Sequence, residues 1–354
     1  MFDLRAIILA GVISLLATGV TAQNKGKGKA KGKADAPGQV KKSAPVAMKA
    51  YTEVLPGLSL QFDMMPIAGG MFQLGSPATE AKRRDDEGPQ VKITVEPFYM
   101  AKYETIWELY DAFVNKDSNG SNDPNFMNGE FPGNKIVDAV ALPSQPYVDM
   151  SFGMGRQGYP AINITQYAAL QFCRWLTAKT GRFYRLPTEA EWEFACRGGA
   201  TTAYSFGDDP AQLPDHGWFY DNSNGTYKKV GQKKPNPFGL FDMHGNVAEW
   251  VMDQYSTDRY QTLAGQKTVD SYATTKELYP IAVRGGTWDD DADRLRTAAR
   301  RGSRPDWKQR DPQIPKSEWW FTDASFVGFR VISPIKQPTK AEMEEYFKLP
   351  PDDL

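Results

Sequence analysis

The stretch RLPTEAEWEFACRGG, Arg185–Gly199, is a complete local instruction for one helix and both of its ends. Pro187 stops the extended segment before it. Thr188 and Glu191 stand at the T-x-x-E spacing of a capping box, in which side chains satisfy backbone N–H groups that the first turn leaves bare. Trp192 and Ala195 fall on the buried face, and Gly198-Gly199 closes the helix where a left-handed residue is favoured. Glu189, Glu191 and Glu193 suit the positive end of the helix dipole without any chemistry, so we read them as structural.

Upstream, INITQYAALQFCRWLTAKTG predicts a second helix from about Thr165. Ala168, Ala169, Phe172, Cys173 and Leu176 share one face, and Gly181 ends it. Leu60–Ser76 alternates around Gly69-Gly70 and reads as a β-hairpin, followed by a strand at Val91–Val95. A helix from about Thr105 to Val114 carries Trp107, Tyr110 and Phe113 on one side. Residues 115–158 are a polar excursion without periodicity, a kind of segment that tends to be functional. Downstream, AVRGGTW (Ala282–Trp288) and FVGFRVI (Phe326–Ile332) read as buried strands. No repeat and no boundary interrupts residues 51–335, so one mixed, loop-heavy domain is expected there, with a polar tail at 336–354.

Composition agrees. The 354 residues include 31 glycines, 25 prolines, 9 Trp, 16 Tyr and 19 Phe, a balance that suits aromatic clusters under long loops. Mean hydropathy of −0.53 argues for a soluble body. Residues 1–22, with Arg5 and an apolar run from Ala6 to Ala17, read as a secretory signal peptide, the alternative being an uncleaved anchor. Residues 23–50 hold eight lysines and one aspartate with no aromatic residue, and read as a flexible tether that either is simply solvated or touches anionic envelope surfaces. We therefore expect a bacterial chain exported to the periplasm or beyond, and not a lipoprotein, since no cysteine lies near the cut. The whole chain carries a net charge of −1, so the body is acidic, which argues against nucleic acid as a ligand. Cys173 and Cys196 are the two cysteines; in an exported chain they either pair or stay as two packed thiols.

Four segments occur in a telling order: RLPTEAEWEFACRGG, PNPFGLFDMHGNVAEW, VRGGTW…LRTAARRGSRPD and VGFRV, preceded by MPIAGGMFQLGS and MAKYETIWELYDAF. The chain resembles the sulfatase-modifying factor family, whose best-known members are formylglycine-generating enzymes, over roughly residues 58–333. The resemblance implies an α+β class: a single loop-rich domain related to the C-type lectin fold and low in regular secondary structure. It also implies oxidation of a sulfatase cysteine to formylglycine, with copper(I) held by two thiolates. Here the sequence departs from the family pattern. The turn that carries two cysteines in active members reads RGGTWDDDADRLR, with Asp290 at or near the first and no counterpart for the second. Copper(I) prefers sulfur and carboxylates suit hard cations, so copper is not expected. The positions matching the family's active groove are Ala248, Thr287 and Asp290, and Ala248 replaces a usual aromatic. A histidine-rich iron site is not supportable either, because His216 and His244 are the only histidines.

In GLFDMHGNVAEW, Gly239–Trp250, the resemblance points to calcium bound by the Asp242 and Glu249 carboxylates and the Gly245 and Val247 carbonyls. Hard oxygens on a glycine-bent loop suit that ion. Asn246 is either a further ligand or the lock of the bend; the alternative for the whole loop is a turn whose acids bond N–H groups and arginines. His244 has no evident nucleophile or carboxylate beside it and reads as a hydrogen-bonding spacer. Asp289, Asp291 and Asp293 lack the glycine and glutamate of a calcium-binding EF-hand, so we expect them to brace Arg294, Arg296, Arg300 and Arg301, some of which could face an anion instead. Trp307, Trp319 and Trp320 either stack on a sugar or peptide, or act as buried staples. The function expected is a binding module braced by calcium, for a peptide, a glycan or a partner protein such as a sulfatase. The alternatives are an active sulfatase-maturation oxidase and a structural component of an envelope assembly.

Overall fold

The computed structural model describes residues 48–115, 143, 146, 148–265 and 275–347. The expected signal segment, nearly all of the tether, most of the 115–158 excursion and the last seven residues lie outside them. The architecture is α+β, and the described residues form three small sheets with irregular connections between them. The first sheet has the order β1 (Tyr51–Val54), β2 (Gln61–Ile67), β5 (Phe98–Ala101), β10 (Ile332–Pro334). The second is the pair β3 (Gly70–Leu74) and β4 (Val91–Val95). The third runs β8 (Arg300–Gly302), β7 (Ile281–Arg284), β6 (Ala248–Gln254), β9 (Val327–Gly328), antiparallel except for β6 with β9.

The expected hairpin is corrected. β2 pairs with β1 and β5, whereas β3 pairs only with β4, so Gly69-Gly70 hands the chain from one sheet to another. Gly69 takes φ +67°, and a Cβ there would stand 2.4 Å from the Val95 carbonyl oxygen. Alternation records that both segments are strands but not which strand each meets. The strand expected over Phe326–Ile332 is likewise split, into β9 and the start of β10.

Both long helices form where their caps place them. The helix Gln166–Thr180 starts at Thr165, whose hydroxyl accepts from Ala168 N at 3.1 Å, and stops at Gly181 with φ +74°. The helix Glu189–Arg197 has its capping box: Thr188 N donates to Glu191 Oε2 at 2.8 Å and Glu191 N to Thr188 Oγ1 at 3.1 Å. It packs on β3, β4, β6 and β7 and so joins two sheets. Its acids are buried and paired. Glu191 binds Arg185 at 2.6 and 2.8 Å, Glu189 binds Arg300 at 2.6 and 2.8 Å, and Glu193 receives Arg197 at 2.8 Å as well as Arg284.

The larger core gathers Trp107, Tyr110 and Phe113 against Phe172, Trp175 and Phe329. Trp307 and Trp320 belong to it, each 3% exposed, while Trp319 is half-buried with its ring 4.7 Å from that of Tyr167. Trp307 and Trp320 are therefore staples rather than open stacking platforms. Cys173 and Cys196 are free thiols, buried in two different core clusters, and burial pushes both thiol pKa values up. The segment expected as a polar tail contains a helix, Lys340–Tyr346, capped by Thr339, and Phe347 packs on Phe183 at 5.6 Å between ring centres.

Candidate functional site

The Asp242–Val247 loop enters β6 through backbone that few residues tolerate, with positive φ at Asp242, Gly245 and Asn246. Its hydrogen bonds knit three distant segments. Gly245 N donates to the Gly285 carbonyl at 2.9 Å, Asn246 N to the Trp218 carbonyl at 2.8 Å, and Trp288 N to the Asn246 carbonyl at 2.8 Å. The loop thus holds the Gly285–Asp290 turn in place. The Asn246 side chain locks the bend: its Oδ1 accepts from Lys228 N at 2.8 Å and its Nδ2 donates to Glu104 Oε2 at 3.0 Å.

Glu249 makes the contact that the alternative reading of the loop describes, an acid bonded to an arginine. Arg330 donates to both of its oxygens at 2.6 Å, and Trp192 Nε1 adds a bond at 2.7 Å. Such a forked pair leaves that carboxylate little to offer a cation. Asp242 differs: Oδ2 accepts from Gly231 N at 2.7 Å, and buried Oδ1 has no hydrogen-bond partner among the described residues. Burial, with the Glu249 charge adding to it, pushes the Asp242 pKa up to about 6. Glu104, which receives Val247 N at 3.2 Å, is raised well above the usual range by burial and then by the charges of Asp242 and Glu249. Three buried carboxylates here face the one guanidinium of Arg330. Among the described residues no group of three or more His, Cys, Asp or Glu is arranged to hold a metal ion, so a cation at this loop would depend on backbone carbonyls such as those of Gly245 and Val247.

His244 is buried and serves the same scaffold. Its Nδ1 donates to the Leu295 carbonyl at 2.8 Å, and Nε2 accepts from Ser205 Oγ at 2.8 Å and Ser205 N at 3.2 Å. Burial lowers its pKa to about 4. A histidine held neutral in the fold but free to protonate near 6.5 when unfolded gives stability that is present above 6.5 and lost as pH falls through 4. The His244 contribution to the unfolding free energy should therefore fall by about 3 kcal/mol between pH 7 and pH 4, against the opposite contribution of the raised Asp242 carboxyl, and it is read as the difference between the urea-unfolding profiles of wild type and variant. The variant His244→Gln should flatten that part of the profile, and an equal slope in both proteins would remove His244 as its cause.

Asp290 stands at or near the position where the resemblance puts the first metal-binding cysteine. Thr287 Oγ1 donates to its Oδ2 at 2.8 Å, Arg301 pairs with its Oδ1, and its carbonyl accepts from Tyr220 N at 3.0 Å. Thr287 and Asp290 are thus brought together, and Ala248 is buried on β6 with its N–H bonded to the Phe326 carbonyl at 2.8 Å. Copper(I) does not fit these residues, because Asp290 offers oxygen and both thiols are enclosed elsewhere.

The bracing expected within the acidic run is corrected. Asp289, Asp291 and Asp293 join no ion pair among the described residues; the arginines reach farther. Arg296 is held by Glu87 at 2.6 and 2.7 Å and Glu80 at 2.6 Å, and Arg300 by Glu189, so neither is open to a ligand. Arg294 is half-buried and lines a cleft of about 970 Å³ with Arg301. Arg83, Arg84 and Glu104 were not singled out from the sequence. Arg83 and Arg84 sit in KRRDDE, which resembles a solvated charge run, and Glu104 looks like an exposed polar residue ahead of a helix.

A family profile described as sulfatase-modifying factor enzyme 1-like domain matches residues 58–312. The chain belongs to that family. It is 29% identical over 279 residues to the formylglycine-generating enzyme of Thermomonospora curvata, an alignment covering 69% of this chain and 89% of that one. It is also 29% identical over 244 residues to serine/threonine-protein kinase pkn1 of Chlamydia pneumoniae, covering 69% of this chain but only 36% of the kinase. Treponema denticola variable protein 1 shares the fold at a TM-score of 0.57 with 22% identity, covering 80% of this chain and 99% of that one.

Proposed function

We propose that this chain keeps the family's scaffold without its copper-dependent oxidation and acts as an exported binding module for a peptide, a glycan or a partner protein such as a sulfatase. The observation that carries this is Asp290, a carboxylate tied to Thr287 and Arg301 where the reaction needs a thiolate. With oxygen in place of sulfur there is no soft donor for copper(I) and no sulfur to exchange with a substrate thiol. The test is incubation of the purified protein with a sulfatase-derived cysteine peptide and copper(I) under air, read by mass spectrometry. An unchanged peptide mass is expected. Conversion of the thiol to an aldehyde would establish the alternative, an active sulfatase-maturation oxidase.

Calcium at the Asp242 loop is part of the proposal. It is supported by the unpartnered Asp242 Oδ1 and by the excess of buried carboxylate over guanidinium around it. Asp242 and the carbonyls of Gly245 and Val247 would hold the ion while Glu249 stays with Arg330. The ion would neutralise charge and fix the loop. EDTA should then lower the Tm by about 5 °C, in line with a ligand that binds only the folded state. An unchanged Tm would remove calcium from the account and leave the loop to its own hydrogen bonds and the Arg330–Glu249 pair.

A further inference from the structure

We infer that the arginine-lined cleft beside Asp290 binds a small ligand carrying a tetrahedral oxyanion, a sulfate or phosphate ester; this rests on the proposed binding role and names its ligand class. The cleft, about 970 Å³, lies between Arg83–Asp86, the Tyr255–Gln261 stretch and Arg301–Trp307, and six of the residues lining it are arginines. Three of the six are already engaged: Arg300 by Glu189, Arg301 by Asp290, and Arg304 by Asp306 at 3.1 Å on the surface. The other three meet no carboxylate among the described residues. Among the described residues Arg84 and Arg294 have neither an ion pair nor a hydrogen bond from the guanidinium, and Arg83 donates only to the Ser76 carbonyl, at 3.3 Å.

The aspartates in the cleft do not take up these groups. Asp86 accepts from the Tyr255 hydroxyl at 2.7 Å, Asp258 from Ser256 Oγ, and exposed Asp85 forms no ion pair among the described residues. Forked, permanently charged guanidiniums recognise planar or tetrahedral oxyanions, and three in one concavity exceed what solvation of a surface run requires. The volume is that of a pocket for a small molecule. Tyr255 and Phe326 add apolar wall, which suits an ester on a ring-bearing body rather than a bare ion. The acidic remainder of the body repels a long polyanion, so a single charged group is favoured over an extended chain.

Isothermal titration at pH 5, where p-nitrophenol is uncharged and both esters are anionic, compares p-nitrophenyl sulfate, p-nitrophenyl phosphate and p-nitrophenol on the purified protein. Both esters should bind and p-nitrophenol should not. The double variant R84E/R294E should weaken ester binding at least tenfold with Tm preserved, while R174E, far away and paired with Glu344, should leave it unchanged. If the charge reversals disturb folding, R84Q/R294Q should still weaken binding. Strengthening of the phosphate ester alone from pH 5 to pH 8 marks binding of its dianion, and a higher affinity for the sulfate ester names that source instead. Equal binding of p-nitrophenol, or full ester binding by the glutamine variant, would overturn the assignment. Neither result touches the peptide-oxidation assay, so loss of this ligand class is distinct from loss of the non-oxidising role.

Discussion

Arg330→Met is expected to lower the unfolding free energy by about 3–5 kcal/mol, the usual cost of stranding one member of a buried ion pair. Arg330 is fully buried, donates to both oxygens of Glu249 at 2.6 Å, and also reaches the Ala101 carbonyl at 3.2 Å and the Phe241 carbonyl at 3.0 Å. It therefore ties β5, β6 and the start of the Asp242 loop through one planar group. Its loss leaves Glu249 beside Glu104 and Asp242 with no opposing charge. Urea unfolding at pH 7 measures the effect. The double variant R330M/E249Q should recover part of the loss, because the amide no longer carries an unpaired charge. A cost under about 1 kcal/mol for Arg330→Met would mean that other contacts hold this junction.

Gly245→Ala is expected to cost at least about 3 kcal/mol, since it adds a steric clash to backbone strain. Gly245 takes φ +108°, and an added Cβ would lie 2.1 Å from the Trp218 carbonyl oxygen and 2.8 Å from the Leu295 side chain. Neither neighbour can retreat freely: Trp218 O accepts from Asn246 N, and the Leu295 carbonyl holds His244. Gly199→Ala is the matched control, with φ +92° but nothing within 4 Å of the added atom. It should cost only about 1 kcal/mol, the strain alone. Thermal unfolding of the two variants side by side separates clash from strain, and equal losses would remove the close approach as the reason for glycine.

What was legible in the sequence was local. The caps at Thr165 and Thr188, the stops at Gly181 and Gly198, and the buried face of Trp107, Tyr110 and Phe113 are all written within a few residues of where they act. What was illegible was long-range pairing. Arg296 lies next to three aspartates in sequence, yet its carboxylates are Glu80 and Glu87, more than two hundred residues earlier. The sequence leaves open whether Glu249 meets a cation or an arginine, because Arg330, its partner, is eighty-one residues away. The Gly69-Gly70 turn reads as a hairpin for the same reason, since alternation does not encode the neighbouring strand. The family motifs supplied what spacing could not. They placed Asp290 at a position of interest, and the structure then showed how Thr287 and Arg301 hold it.

Copper(I) titration of the purified protein against a competing chromogenic chelator probes the exchange of sulfur for oxygen at Asp290 most directly. The chelator should keep its full share of metal, with no stoichiometric uptake by the protein and none in the variant Asp290→Asn. Uptake of one copper(I) per chain, lost on substitution of Asp290, would contradict the proposal that this scaffold does without the copper its family resemblance implies.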